Sequence, residues 1–268
     1  MVTTVTTAIT AAIEEDAPGR SRHDAGGRAR AAIGVGMDSN FLNAFAATWL
    51  VALATPAMAD PLQDQVLAGM RRVDTGDVGF TATTTIERTG AERQEIVTRY
   101  DPRAPAGKRW TAMRIDGRAP TPKETGNILK AANGTPVPAY ARLAKWFGGP
   151  ATRIAQGPGT VTYRFARLPA GVIKIGQHDA SADTVADAVV NTGGAAPFVE
   201  RVHFTSAKPF RMMVVAKIER YDFASTYAPL PDGRPFVAVN GGDMAGSLMG
   251  KAGTLRTRTR YSEAHAVR

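Results

Sequence analysis

The sequence predicts an α+β fold, with one large antiparallel sheet whose apolar face is covered by a few helices. Three observations carry this reading. Apolar spacing changes from helical to strictly alternating at Val78, and alternation returns in segment after segment as far as Tyr261. Turn chemistry, such as Arg88-Thr89-Gly90-Ala91 and Asp116-Gly117, separates the alternating segments. Helical signals are confined to short stretches near 61–73, 122–131 and 138–147.

Asp60-Pro61 supplies an N-cap followed by proline at the first helical position, and Leu62, Val66, Leu67 and Met70 recur at helical spacing to about Val73. Thr75-Gly76-Asp77 breaks that helix. Val78, Phe80, Ala82, Thr84 and Ile86 then share one face of a strand, and Glu92–Tyr100 returns as its hairpin partner with Ile96 and Tyr100 on a common face. A rigid loop over 101–107 leads to a third strand, Lys108–Ile115. Thr121-Pro122-Lys123-Glu124 is a capping box opening a helix to about Ala131, and Pro138–Phe147 forms another.

Strands resume at Thr160–Phe165. Pro197–Ser206 and Phe210–Tyr221 are expected to pair through a turn at Ala207-Lys208-Pro209, and Pro235–Val239 and Leu255–Tyr261 complete the set. Ala180–Val190 is compatible with a short helix capped by Ser181 or with a poor strand. The Gly/Met-rich segment 240–253 reads as a mobile loop. No internal repeat is found.

The N-terminal part has a different character. Residues 1–36 are Thr/Ala-rich and then Gly/Arg-rich, without apolar periodicity, and read as disordered or as a mis-assigned extension. Phe41–Leu53 is apolar over a length suited to a signal peptide and shorter than the roughly 20 residues that span a bilayer. Ala57-Met58-Ala59 before Asp60 is a signal-peptidase pattern, so residues 37–59 are expected to be a signal peptide cleaved after Ala59, with 60–268 a single exported, periplasmic domain. Counted from Met37, the segment lacks the usual leading Lys or Arg, which a start upstream of Arg28 and Arg30 would supply. An N-terminal membrane anchor or a buried hydrophobic helix is the alternative.

Composition excludes some chemistry. The 268 residues contain no Cys and four His, so disulfides, thiolate metal sites and cysteine nucleophiles are ruled out. There is no HExxH, GxSxG or GxGxxG pattern, and Gly246–Ala252 lacks the first glycine and the Ser/Thr of a phosphate loop. His203, Ser206 and Asp179 contain the residue types of a hydrolytic triad, but His203 alternates with Val202 and Phe204 and is expected to face water. No enzyme, metal, cofactor or nucleic-acid partner is expected.

Charge and apolar bulk remain. The net charge is +9, and since 1–36 sum to zero and 37–59 to −1, the mature part carries +10. In Leu255–Tyr261, Arg256, Arg258 and Arg260 occupy one side of a strand, either as charges that keep an exposed or edge strand soluble or as a contact for an anionic membrane surface. Phe80, Ile86, Ile96, Tyr100, Trp110, Tyr163, Phe165, Phe204, Val214 and Ile218 are expected to collect on one concave face, as a filled core or as the lining of an apolar cavity.

Tyr100–Trp110 (YDPRAPAGKRW) and Asp116–Glu124 (DGRAPTPKE) resemble a group of uncharacterised proteobacterial envelope proteins, which are similar at fold level to the LolA-like lipoprotein-sorting and lipoprotein-carrier superfamily. The resemblance implies an unclosed half-barrel with helices at its mouth and a cavity accepting acyl chains, with an acyl chain, phospholipid or lipoprotein as partner and no catalytic residues. The leading expectation is therefore a periplasmic lipid- or lipoprotein-binding carrier. The alternative is a non-enzymatic cell-envelope binding or scaffold module with a filled core, and a hydrolase comes third.

Overall fold

A computed structural model describes residues 60–176, 178–213 and 216–267, so the expectations for 1–36 and 37–59 lie outside the described residues. Elements follow in the order α1 (Pro61–Arg72), β1 (Val78–Arg88), β2 (Gln94–Tyr100), β3 (Trp110–Ile115), α2 (Pro122–Gly134), α3 (Ala144–Phe147), β4 (Thr152–Gly157) and β5 (Thr160–Phe165). The minor strands β6 (Lys174–Ile175) and β7 (His178–Asp179) precede β8 (Thr184–Asn191), β9 (Phe198–Ser206), β10 (Phe210–Met213), β11 (Ala216–Pro229), β12 (Pro235–Leu248) and β13 (Lys251–Ala266). Turns of 3-10 helix at Tyr140–Leu143 and Ser181–Asp183 lead into α3 and β8.

Among the described residues, eleven strands form one sheet in the order β3-β2-β1-β13-β12-β11-β9-β8-β5-β4, with β10 pairing onto β11. Every pairing is antiparallel, and the edges β3 and β4 do not meet, so the sheet is curved but not closed into a barrel. The predicted fold class is the observed one.

Both predicted helix openings form. Asp60 caps α1 by accepting from the Leu62 N–H, with Pro61 in the first turn. At α2, the Glu124 N–H donates to Thr121 Oγ1 at 3.4 Å and the Thr121 N–H donates to Glu124 Oε2 at 2.8 Å, which completes the capping box. Arg118 reinforces it with two hydrogen bonds to the Glu124 carboxylate, at 2.9 and 2.6 Å, holding that carboxyl down at about 2. Thr121→Ala is expected to cost about 1 kcal/mol. A lower urea midpoint with an unchanged slope would show it, and an unmoved midpoint would remove Thr121 from its capping role.

Three expectations need correction. The segment 240–253 is no loop: it completes β12 and opens β13, which turn tightly through Met249 and Gly250, both at positive φ. Its glycines serve close packing of strands rather than mobility, because a Cβ on Gly241, Gly242 or Gly246 would fall within 2.4 Å of a neighbouring atom. The β9 partner does not turn at Ala207-Lys208-Pro209; pairing of Phe210–Met213 with β11 continues beyond it, since Pro209 lacks the N–H for the ladder and interrupts the strand without reversing it. Pro138–Phe147 is a 3-10 turn followed by one turn of α-helix, not a continuous helix. Of the two readings of Ala180–Val190, the strand prevails after a single 3-10 turn.

Candidate functional site: an apolar face and a charged groove

Register places the predicted apolar residues across the sheet. Ile86 opposes Thr257, Thr257 opposes Gly242, and the row continues through Phe223, Phe204, Ala186 and Phe165. Trp110, Tyr100 and Phe80 form a second row, Ile96 opposes Thr84, and Ile218 opposes Gly246. Side chains alternate along a strand, so these positions and Tyr163 share one face. Val214 lies outside the described residues.

Packing divides that face into two clusters. In the larger, Tyr163, Phe165, Phe204 and Ile218 are buried with Val66 and Met70 of α1 and with Trp146 and Phe147 of α3. The Trp146 ring lies 4.9 Å from Phe165 and 5.5 Å from Phe204, both edge-on. In the smaller, Phe80 contacts four rings: Tyr100 at 5.2 Å, Tyr261 at 5.4 Å, Phe236 at 5.5 Å and Trp110 at 5.6 Å. Tyr227 packs against both clusters, and burial raises its hydroxyl to about 12, so it stays neutral. Ile86 and Ile96 are half-buried and belong to neither cluster.

A polar knot secures α1 to the edge of the larger cluster. Besides capping α1, Asp60 accepts two hydrogen bonds from Arg153 of β4, at 2.5 and 2.6 Å, and one from the Tyr163 hydroxyl at 2.8 Å. A second knot ties the α1–β1 turn to the β11–β12 hairpin: Arg234 bonds both Asp77 and Asp232 and the carbonyl of Asp74.

The opposite face is charged. Arg256, Arg258 and Arg260 are all exposed along β13, while Thr257 and Thr259 are buried beneath them, as the alternation requires. Arg256 is committed to Asp243 at 2.7 Å and lies 3.8 Å from Glu87. Asp187 receives two hydrogen bonds from Arg164, at 2.8 and 2.7 Å, and His203 is half-buried and paired with Asp222 at 2.8 Å. An open groove of about 670 Å³ lies on this face, lined by parts of β5, β8, β9, β11, β12 and β13. The six strands that line it are consecutive neighbours in the sheet, so the groove runs across them.

The triad residue types are not brought together. Asp179 accepts from Ser181 and Gly171, Ser206 accepts from the Tyr221 N–H, and His203 turns to Asp222. Among the described residues no group of three or more His, Asp or Glu side chains is arranged to hold a metal ion. Arg201 on β9, which also lines the groove, was not among the sequence candidates. It stands alone in its strand, and only register sets it across from β13.

Fold and site together define an open antiparallel-sheet protein with one apolar and one charged face. No family model and no curated protein matches this chain. Among solved structures it is similar to a LolA superfamily protein from Nitrosomonas europaea, at 11% identity and a TM-score of 0.32, over 77% of this chain and 94% of that one.

Proposed function

We propose that this is an exported, non-enzymatic protein that holds an acyl chain of a lipid or lipoprotein against the apolar face of its sheet. The observation that carries the reading is the half-buried pair Ile86 and Ile96, which sits on that face outside both aromatic clusters. Apolar side chains left half-covered on an otherwise packed face are where a hydrocarbon chain gains most from burial, at about 0.8 kcal/mol per methylene. Leu255, half-buried and two residues from the Thr257 that opposes Ile86, borders the strip. The +10 charge of residues 60–268 favours encounter with anionic membrane surfaces in the periplasm.

The ring packing around Phe80 favours a second reading, in which the face is simply core and the protein is a binding or scaffold module of the envelope.

Native mass spectrometry of protein purified from the periplasm separates the two. The acyl-chain reading expects a chain beginning at Asp60 with one co-purifying lipid, released by organic solvent. Ile86→Glu and Ile96→Glu should each lose the lipid while keeping the wild-type melting temperature within a few degrees, because neither residue belongs to a cluster. A lipid-free mass together with no uptake of added fatty acid or phospholipid would leave only the module.

A further inference from the structure

We infer that the groove on the charged face is a binding site for a phosphomonoester, gripped by Arg201 and Arg258 from opposite sides. This goes beyond the acyl-chain reading and stands without it, since the groove lies on the other face of the sheet.

The cross-strand rows make the case. Asp222, Asp243 and Arg256 stand in one row. His203, Ala224, Gly241 and Arg258 form the next, and Arg201, Thr226, Val239 and Arg260 the one after, with Arg260 outside the lining of the groove. The acids that line the groove are all engaged: Asp187 by Arg164, Asp222 by His203 and Asp243 by Arg256. Arg201 and Arg258 are exposed, both line the groove, and neither has a hydrogen bond or ion pair among the described residues. Two cations thus face a neutral floor of Ala224, Thr226, Val239 and Gly241; the acids that share the row of Arg258, Asp187 beyond His203 and Glu95 beyond Thr85, are engaged by Arg164 and Arg93.

Spacing then selects the ligand. Three strand intervals and one two-residue step place the two Cα atoms about 16 Å apart on a flat sheet. An extended arginine reaches about 7 Å from its Cα, so the two side chains are long enough to lean inward from opposite ends of the floor and meet one small anion between them. Guanidinium forks bind planar pairs of oxygens, and a phosphomonoester offers three oxygens and nearly two charges, enough to engage both arginines at once. A carboxylate, with two oxygens and one charge, satisfies one fork. The floor is small and uncharged, so it accepts the organic part of the ester without an unpaired group. The phosphomonoester has two sources, a soluble metabolite or the headgroup of a lipid such as phosphatidic acid.

Calorimetric titration of the purified protein with glycerol 3-phosphate, and flotation with phosphatidylcholine vesicles with and without phosphatidic acid, test the site and its source. Saturable binding of glycerol 3-phosphate, weakened tenfold or more by Arg201→Gln and by Arg258→Gln but not by the charge-matched Arg114→Gln on β3, supports a soluble ligand. Binding only to vesicles with phosphatidic acid, lost in the same two variants and kept in Arg114→Gln, supports the lipid headgroup. Absence of both, or equal weakening by all three substitutions, overturns the site and leaves a diffuse effect of net charge. Neither arginine belongs to a core cluster, so the variants should keep the wild-type melting temperature.

Discussion

Gly242→Ala is expected to destabilise the protein by about 3 kcal/mol or more, at or beyond the upper end of ordinary overpacking. A Cβ on Gly242 falls 2.0 Å from Phe223 Cδ1 and 2.3 Å from the carbonyl oxygen of Asp222. Neither has an easy retreat. The Phe223 ring is 2% exposed and stacks on Tyr221 at 5.1 Å, and the oxygen belongs to the backbone of a central strand paired on both sides. Moving either disturbs the row that runs from Ile86 to Phe165 across the whole apolar face. Gly253→Ala is the control, because it lies in the same strand pair with nothing within 4 Å of its Cβ position. Its urea midpoint should shift by no more than about 0.5 kcal/mol equivalent. If Gly242→Ala matched Gly253→Ala, the two strands would have to separate freely, and Gly242 would not set their approach.

That glycine also explains where the sequence could be read and where it could not. Signals closed within a few residues were legible: Asp60-Pro61 and Thr121-Pro122-Lys123-Glu124 each specify a cap whose donors and acceptor lie within one helical turn. Alternation likewise revealed which side chains share a face, from Phe80 through Phe204. The segment around Gly242 misled because glycine has two uses. It permits loops, and it also permits neighbouring backbones to touch, and only the partner strand tells which applies. Strand β4 escaped for another reason. All six of its residues are exposed, so no buried face imposes an apolar alternation.

The division of the apolar face into two clusters was not legible either. It depends on Phe236 and Tyr261 meeting Phe80 across strands far apart in sequence. For the charged groove, alternation exposed Arg258 but not its counterpart. Arg201 becomes relevant only through β11 and β12, which lie between it and β13 in the sheet.

At pH 7, Asp60→Asn should lower stability by about 1–2 kcal/mol, and most of that loss should disappear as the pH falls to 2. Asparagine can still cap α1, so the substitution isolates the charge. In the folded chain the hydrogen-bonded Arg153 is the largest influence on the Asp60 carboxyl. Partial burial opposes it, while the Tyr163 hydroxyl and the Leu62 N–H assist, and the outcome is a value near 2 instead of 3.8. A carboxyl more acidic when folded than when unfolded favours the folded state only while ionised. Its contribution is therefore complete above about pH 5, declines as the unfolded chain begins to bind protons, and is gone once the folded carboxyl is itself protonated. The full shift would correspond to somewhat more than 2 kcal/mol, but the Arg153 side chain is 44% exposed and water screens the pair. Asp60→Ala removes the cap as well and strands the Tyr163 hydroxyl, so it should cost about 1 kcal/mol beyond Asp60→Asn. Urea midpoints of wild type and both variants at pH 7, 4 and 2 decide the matter. A difference between wild type and Asp60→Asn that stayed constant across that range would mean that Asp60 acts through shape alone and that Arg153 adds nothing by its charge.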